Sequence, residues 1–193
     1  MRAIPQLVVS TVLLGGIYAL IAIGLTLIFG VMRVVNFAHG EFLMLGMYLA
    51  FWAFTLVHLD PYVTFALALP LLFGVGWLSY RIVMRPVIHA GHNVHVFTTV
   101  GLSVALQNVA LVLWTADSRF VRTGYYAVVV RVGGAAVNLA QIVAFAVAVL
   151  LTGALFAFLR WSYMGKVMRA TAQDRQVASL MGIDTGRVFA LTW

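Results

Sequence analysis

The sequence contains no cysteine, which excludes a disulfide framework and any thiolate metal site. Charge is nearly as scarce. Asp, Glu, Lys and Arg make up 9% of the 193 residues, where soluble domains carry about 25%. Acids are the scarcest, five in all, and Glu41 is the only Glu. No charged residue occurs in residues 3–32. Apolar residues fill the space: 64% of the chain is hydrophobic and mean hydropathy is +1.05. No soluble fold hides that much apolar surface, so the composition points to a polytopic α-helical membrane protein. A membrane β-barrel would alternate polarity over strands of about ten residues; the apolar runs here are continuous and far longer. The net charge of +7 does not argue for nucleic acid as a partner, because Lys and Arg collect in the cytoplasmic loops of membrane proteins.

A helix crossing about 30 Å of hydrocarbon needs about 20 apolar residues. Five segments meet or approach this: 7–32, 42–57, 62–80, 96–116 and 138–159. The first is too long for the apolar core of a signal peptide and reads as a retained helix. Gly15, Gly16, Gly24 and Gly30 in it suggest a tilt or a break, while close helix packing is the default role of such glycines. The second is short and is expected to begin near Asn36, which puts His39 and Glu41 in its first turns, where the helix dipole favours an anion. Residues His58, Leu59, Asp60 and Pro61 read as a tight turn, with Pro61 at the first helical position. Residues 81–95 read as a polar loop. Residues 125–132, β-branched and aromatic and followed by Gly133 and Gly134, read as a small extracytoplasmic β-hairpin.

The basic residues set an orientation. With residues 160–186 in the cytoplasm, Arg33, Arg81, Arg85, Arg160, Lys166, Arg169, Arg175 and Arg187 lie inside, and Arg2, Arg119, Arg122 and Arg131 outside. That division predicts an outside N-terminus. Residues 165–182 read as one short amphipathic helix, with Gly182 as its stop. Asp184 or Thr185 would cap the next helix. The sequence ends within the apolar run that this helix opens, which reads as the start of a sixth span and a chain truncated at its C-terminus. The expected architecture is an all-α transmembrane bundle of five spans plus that start, in one domain over residues 1–193.

Polar residues within apolar surroundings are the candidate functional groups. Asn36, His39 and Glu41 cluster between the first two spans, and Gln107 and Asn108 lie mid-span in the fourth. Each has a plainer reading. Asn36 would cap a helix, Glu41 would cap its helix at the interface or pair with Arg33, and Gln107 and Asn108 would hydrogen-bond between helices. His89, His92 and His95 are spaced by three, but they fall in the expected loop without a carboxylate nearby, so no metal site is assigned. No phosphate-binding glycine loop occurs, no cofactor is implied, and too few acids converge for a membrane-embedded enzyme.

Residues 15–42, with Asn36, Phe37, Ala38, His39, Gly40 and Glu41 at their core, closely resemble the permease subunits of branched-chain amino acid ABC importers. Gly165, Arg169, Ala170, Asp174 and Gly182 resemble that family's cytoplasmic coupling loop. The resemblance implies a bacterial inner-membrane permease forming part of a translocation pathway, itself without ATPase activity. It implies a second permease subunit, two cytoplasmic ATP-binding subunits and an extracytoplasmic amino-acid-binding protein as partners, besides membrane lipid. Urea and short-chain amide permeases share the signature and stand as the alternative, beside a non-functional truncated product.

Overall fold

A computed structural model describes residues 3–121, 128–132 and 135–193. In chain order they form α1 (Ala3–Met32), α2 (His39–Val57), α3 (Pro61–Ser79), α4 (His92–Trp114), strands β1 (Val129–Val132) and β2 (Ala135–Asn138), α5 (Leu139–Trp161), α6 (Tyr163–Gln173), α7 (Arg175–Leu180) and α8 (Thr185–Thr192). The class is all-α with one small antiparallel sheet. Five helices among the described residues are long and apolar enough to cross a membrane: Ile4–Met32, His39–Val57, Pro61–Val87, His92–Trp114 and Leu139–Trp161.

α1 runs unbroken for 30 residues through all four of its glycines, a length of about 45 Å. The turn after α2 forms as its residues predict. His58 takes the left-handed conformation (φ 55°) that ends the helix, and Asp60 accepts a hydrogen bond from the Tyr62 backbone N–H at 2.9 Å. Pro61 opens α3, where its missing N–H costs nothing.

The expected polar loop over residues 81–95 is mostly helix instead. The chain leaves α3 through a π-helical turn, Tyr80–Met84, and a 3₁₀ turn, Arg85–Val87, and α4 has begun by His92. The apolar residues of this stretch explain the difference: Tyr80, Met84 and Ile88 are all buried, which a solvated loop would not achieve. Pro86 sits within the first two positions of the 3₁₀ turn, where no backbone donor is required.

The chain divides into two compact units, residues 1–26 with 122–169 and residues 27–121 with 170–193. In the first, Leu13 and Val137 form a buried pair against Val9, Ile142 and Phe145. The hairpin pairs Val129 with Asn138 through Val132 with Ala135. Residues 129–132 of the expected hairpin form its first strand; residues 125–127, 133 and 134 of that expectation lie outside the described residues. Gln6 holds the hairpin through both ends of its amide, donating to the Ala136 carbonyl at 2.9 Å and accepting from its N–H at 2.7 Å. Asn138 then caps α5 by accepting from the Ala140 N–H. Gly16 faces the Phe145 ring so closely that a Cβ there would collide with it.

In the second unit α2 packs on both α3 and α4. Tyr48 of α2 stacks on Trp114 of α4 with ring centroids 4.3 Å apart. The Arg119 guanidinium lies over Phe51 and Trp52 and donates to the Trp114 carbonyl at 2.8 Å. At the other end of the unit, Phe189 of α8 is buried and the Trp193 indole donates to the Ser79 hydroxyl at 2.9 Å.

Candidate functional site

The break between α1 and α2 is a packed feature. Arg33 adopts a left-handed conformation (φ 58°), and Val34, Asn36 and Ala38 are each at most 2% exposed. Asn36 was expected to cap α2; Ala38 occupies that position and makes no side-chain cap bond. Asn36 instead turns the chain two residues earlier, its Oδ1 accepting from the Ala38 N–H at 3.0 Å and its carbonyl from the His39 N–H at 3.2 Å. This is an Asx turn, in which a short polar side chain stands in for a backbone acceptor. The Asn36 Nδ2 is buried with no hydrogen-bond partner. The Val35 carbonyl, freed by the break, accepts from the Thr99 hydroxyl of α4 at 3.1 Å.

Glu41 lies in the first turn of α2. Its Oε1 accepts from the Ser103 hydroxyl at 2.9 Å and from the Gln107 side-chain amide at 2.7 Å. Gln107 also reaches back to Ser103 at 3.4 Å. Glu41 is therefore tied to α4 and not to Arg33; the one ion pair among the described residues joins Arg187 and Asp184.

Its level along α4 matters more than its place in α2. Ser103 is the twelfth residue of the 23-residue α4 and Gln107 the sixteenth, so the first lies about 16 Å along the helix. That is about half the hydrocarbon thickness. Glu41 thus lies level with the middle of α4: the break after α1 sets the start of α2 beside that level. Polar groups at such depth cost free energy unless bonded or set on a polar cavity. Glu41 meets the first condition through Ser103 and Gln107, and Gln107 itself is exposed. A carboxyl group flanked by a hydroxyl and a primary amide offers acceptors to an ammonium group and donors to a carboxylate.

The other candidates separate from this network. His39 opens α2 beside it, half-buried. Asn108 donates to the Val104 carbonyl of its own helix at 2.7 Å. His95 is bonded to the Val87 carbonyl, while His89 meets Arg175 at 3.4 Å, and no three potential metal-ligating side chains gather among the described residues. Sequence reasoning missed Thr99 and Ser103. The available signal was their spacing: Thr99, Ser103 and Gln107 recur every four residues and stripe one face of an apolar helix.

The tail is two helices where one was expected. Asp174 interrupts it with extended backbone, its Oδ1 accepting from the N–H groups of Gln176 and Val177 at 2.8 and 3.0 Å. A short carboxylate offers these amides a local acceptor and starts a second helix there. Gly182 ends α7 at φ 82°, with the Ile183 N–H bonded to Ala178 and its own N–H to Ser179, the Schellman pattern that favours glycine. Asp184 caps α8 by accepting from the Arg187 N–H at 3.0 Å. Gly165 is confined by the Phe158 and Leu159 carbonyls, which a Cβ would strike. Arg169 and Asp174 are exposed, and Ala170 is half-buried.

A family model described as the permease component of branched-chain amino acid transport systems matches residues 7–193. The chain belongs to that family. With its five apolar helices it is a multi-pass membrane protein. It is 36% identical over 202 residues to the high-affinity branched-chain amino acid transport system permease protein LivH of Escherichia coli K12, covering 97% of this chain and 65% of that protein. The similarly described permease BraD of Pseudomonas aeruginosa is 30% identical over 200 residues, with the same coverage of 97% and 65%. A probable LivH of Methanocaldococcus jannaschii is 25% identical over 197 residues, covering 95% of this chain and 60% of that one. The chain thus spans about 65% of the length of the first two relatives. No solved structure matches it.

Proposed function

We propose that this chain forms part of the translocation pathway of an ABC importer for branched-chain amino acids, with ATP hydrolysed by separate subunits. The observation that carries this reading is the Glu41–Ser103–Gln107 network, bonded halfway along an apolar helix in a chain whose relatives are named as branched-chain amino acid permeases. A zwitterion entering hydrocarbon loses its hydration, and groups that bond both of its charges offset that loss. Glu41 and Gln107 line the path in this account; Asn36, through its unpartnered amide, and His39 sit behind them. Asn108, held by its own helix, serves the helix rather than the substrate.

The partners in this reading are a second permease subunit, two ATP-binding subunits on the cytoplasmic side and an extracytoplasmic binding protein. The distribution of Lys and Arg supports an outside N-terminus, an extracytoplasmic hairpin and a cytoplasmic tail over residues 160–186. Arg169 and Asp174, both exposed, are the side chains offered to the ATPase, as a short helix is offered to a partner's groove. Gly165 and Gly182 serve by shaping the tail, and Ala170 lies one residue after Arg169 on α6.

The test is ATP-dependent uptake of labelled leucine by proteoliposomes holding the assembled importer. Uptake should be competed by isoleucine and valine and not by urea. Replacing Arg169 should weaken ATPase association while leaving membrane insertion intact. Urea transport with no leucine transport would overturn the substrate assignment, and full coupling after the Arg169 change would overturn the role of the tail.

A further inference from the structure

At the far end of α3, residues more than a hundred positions apart in sequence line one cavity of about 420 Å³. Trp77, Tyr80, Arg81 and Arg85 come from α3 and the turns that extend it, and Asp184 and Arg187 from the start of α8. Three guanidinium groups therefore share a cavity with a single carboxylate. Arg187 is already paired with that carboxylate at 3.0 Å. Arg81 stacks on the Trp77 ring at 5.2 Å, and neither it nor Arg85 has an ion-pair partner among the described residues. Cations gathered without counter-charge repel one another, and an anion in the cavity would relieve this.

The surroundings identify the source of the anion. Trp77, Arg81 and Arg85 recur every four residues beside the exposed apolar pair Leu78 and Ile82. An aromatic ring, then arginines, at the end of an apolar span is the arrangement of a membrane–water interface. Arg81 and Arg85 lie four residues apart in the turns that extend α3, within reach of one headgroup layer. The apolar flank of α3 leads acyl chains toward the two free guanidiniums.

We propose that this cavity binds the phosphate of an anionic phospholipid headgroup, held by Arg81 and Arg85, with Arg187 completing its cationic wall. The headgroup then bridges α3 and α8. The proposal rests on the membrane placement of the helices and not on the transport reading.

The test uses the purified chain in nanodiscs of phosphatidylcholine, with and without phosphatidylglycerol, read by native mass spectrometry and by thermal unfolding. The unaltered protein should retain phosphatidylglycerol in preference to phosphatidylcholine and unfold at a higher temperature in its presence. Arg81→Gln with Arg85→Gln should lower that retention about thirtyfold, the worth of two interfacial cations. Arg85→Lys, which keeps the charge, should retain most of it. Equal retention of the two lipids by the unaltered protein overturns the proposal even where the double variant does not fold. So does displacement of the lipid by millimolar inorganic phosphate with the same thermal gain, which would assign the cavity to free phosphate. Unchanged lipid retention by a folded double variant that has lost ATPase binding would likewise overturn it, in favour of a protein contact. Uptake is not read in this experiment, so its outcome leaves the transport proposal standing.

Discussion

Glu41 and Arg81 both belong to the second unit and both interrupt long apolar runs, yet they are accommodated in opposite ways. Glu41, level with the middle of α4, is held by two side-chain hydrogen bonds from that helix. Arg81, at the end of α3, has a ring beneath it and no ion-pair partner among the described residues, the Asp184 carboxylate of its cavity being paired with Arg187. The contrast follows depth. Within hydrocarbon, a polar group lacks water and must find protein partners; at the interface, water and headgroups supply them and long basic side chains reach outward. A polar residue in a membrane chain is therefore read by its level along the neighbouring helix, not by its distance from the end of its own.

The sharpest way to break this comparison is to remove Glu41. Glu41→Ala leaves the half-buried Ser103 hydroxyl and the Gln107 amide without their shared acceptor and should cost about 1–3 kcal/mol, the range for unsatisfied donors. Reversible unfolding in mixed micelles measures it, and a loss no greater than for a surface substitution would refute the mid-depth position. A double-mutant cycle of Glu41→Ala with Gln107→Ala should give a coupling of about 1 kcal/mol, within what interhelical bonds in membranes yield; additivity would mean the two side chains do not act together. In the tail, Gly182→Ala forces a Cβ onto a left-handed residue and should destabilise by about 1 kcal/mol, visible as faster hydrogen exchange at Gly182 and Ile183. Asp174→Ala should cost a similar ~1 kcal/mol as a lost cap, with exchange speeding at the Gln176 and Val177 amides; unchanged exchange there would argue for one continuous helix. Arg85→Gln belongs at the small end. In phosphatidylcholine, where no anionic headgroup competes, it should change stability by less than about 0.5 kcal/mol, in contrast to Glu41.

Much of the fold could be read from the chain because membrane helices announce themselves by length and hydropathy. All five spans, the turn at Asp60 and Pro61, the stop at Gly182 and the cap at Asp184 follow from local chemistry. Each error has its own physical cause. Residues 81–95 carry two Arg and three His and so read as loop, although Met84 and Ile88 are buried and hold the segment helical. Asn36 reads as a cap because Asn favours both caps and turns, and only the backbone geometry separates them. Asp174 reads as one polar residue on an amphipathic face, although its carboxylate bonds two amides and starts a new helix. For the site, Asn36, Glu41 and Gln107 stood out as polar residues among apolar ones, but the pairing of Glu41 with Gln107 did not. Ser103 and Thr99 are small enough to be unremarked in an apolar run, and pairing across 62 residues between Glu41 and Ser103 is a tertiary fact.

The absence of native cysteine makes the decisive measurement direct. Gln107→Cys would be the only thiol in the chain, placed at the exposed edge of the Glu41 network. In the assembled importer, a membrane-impermeant thiosulfonate should modify it, and leucine should slow the modification. A thiol at position 107 that reacts only with lipid-soluble reagents, at a rate indifferent to leucine, would contradict a polar pathway beside Glu41.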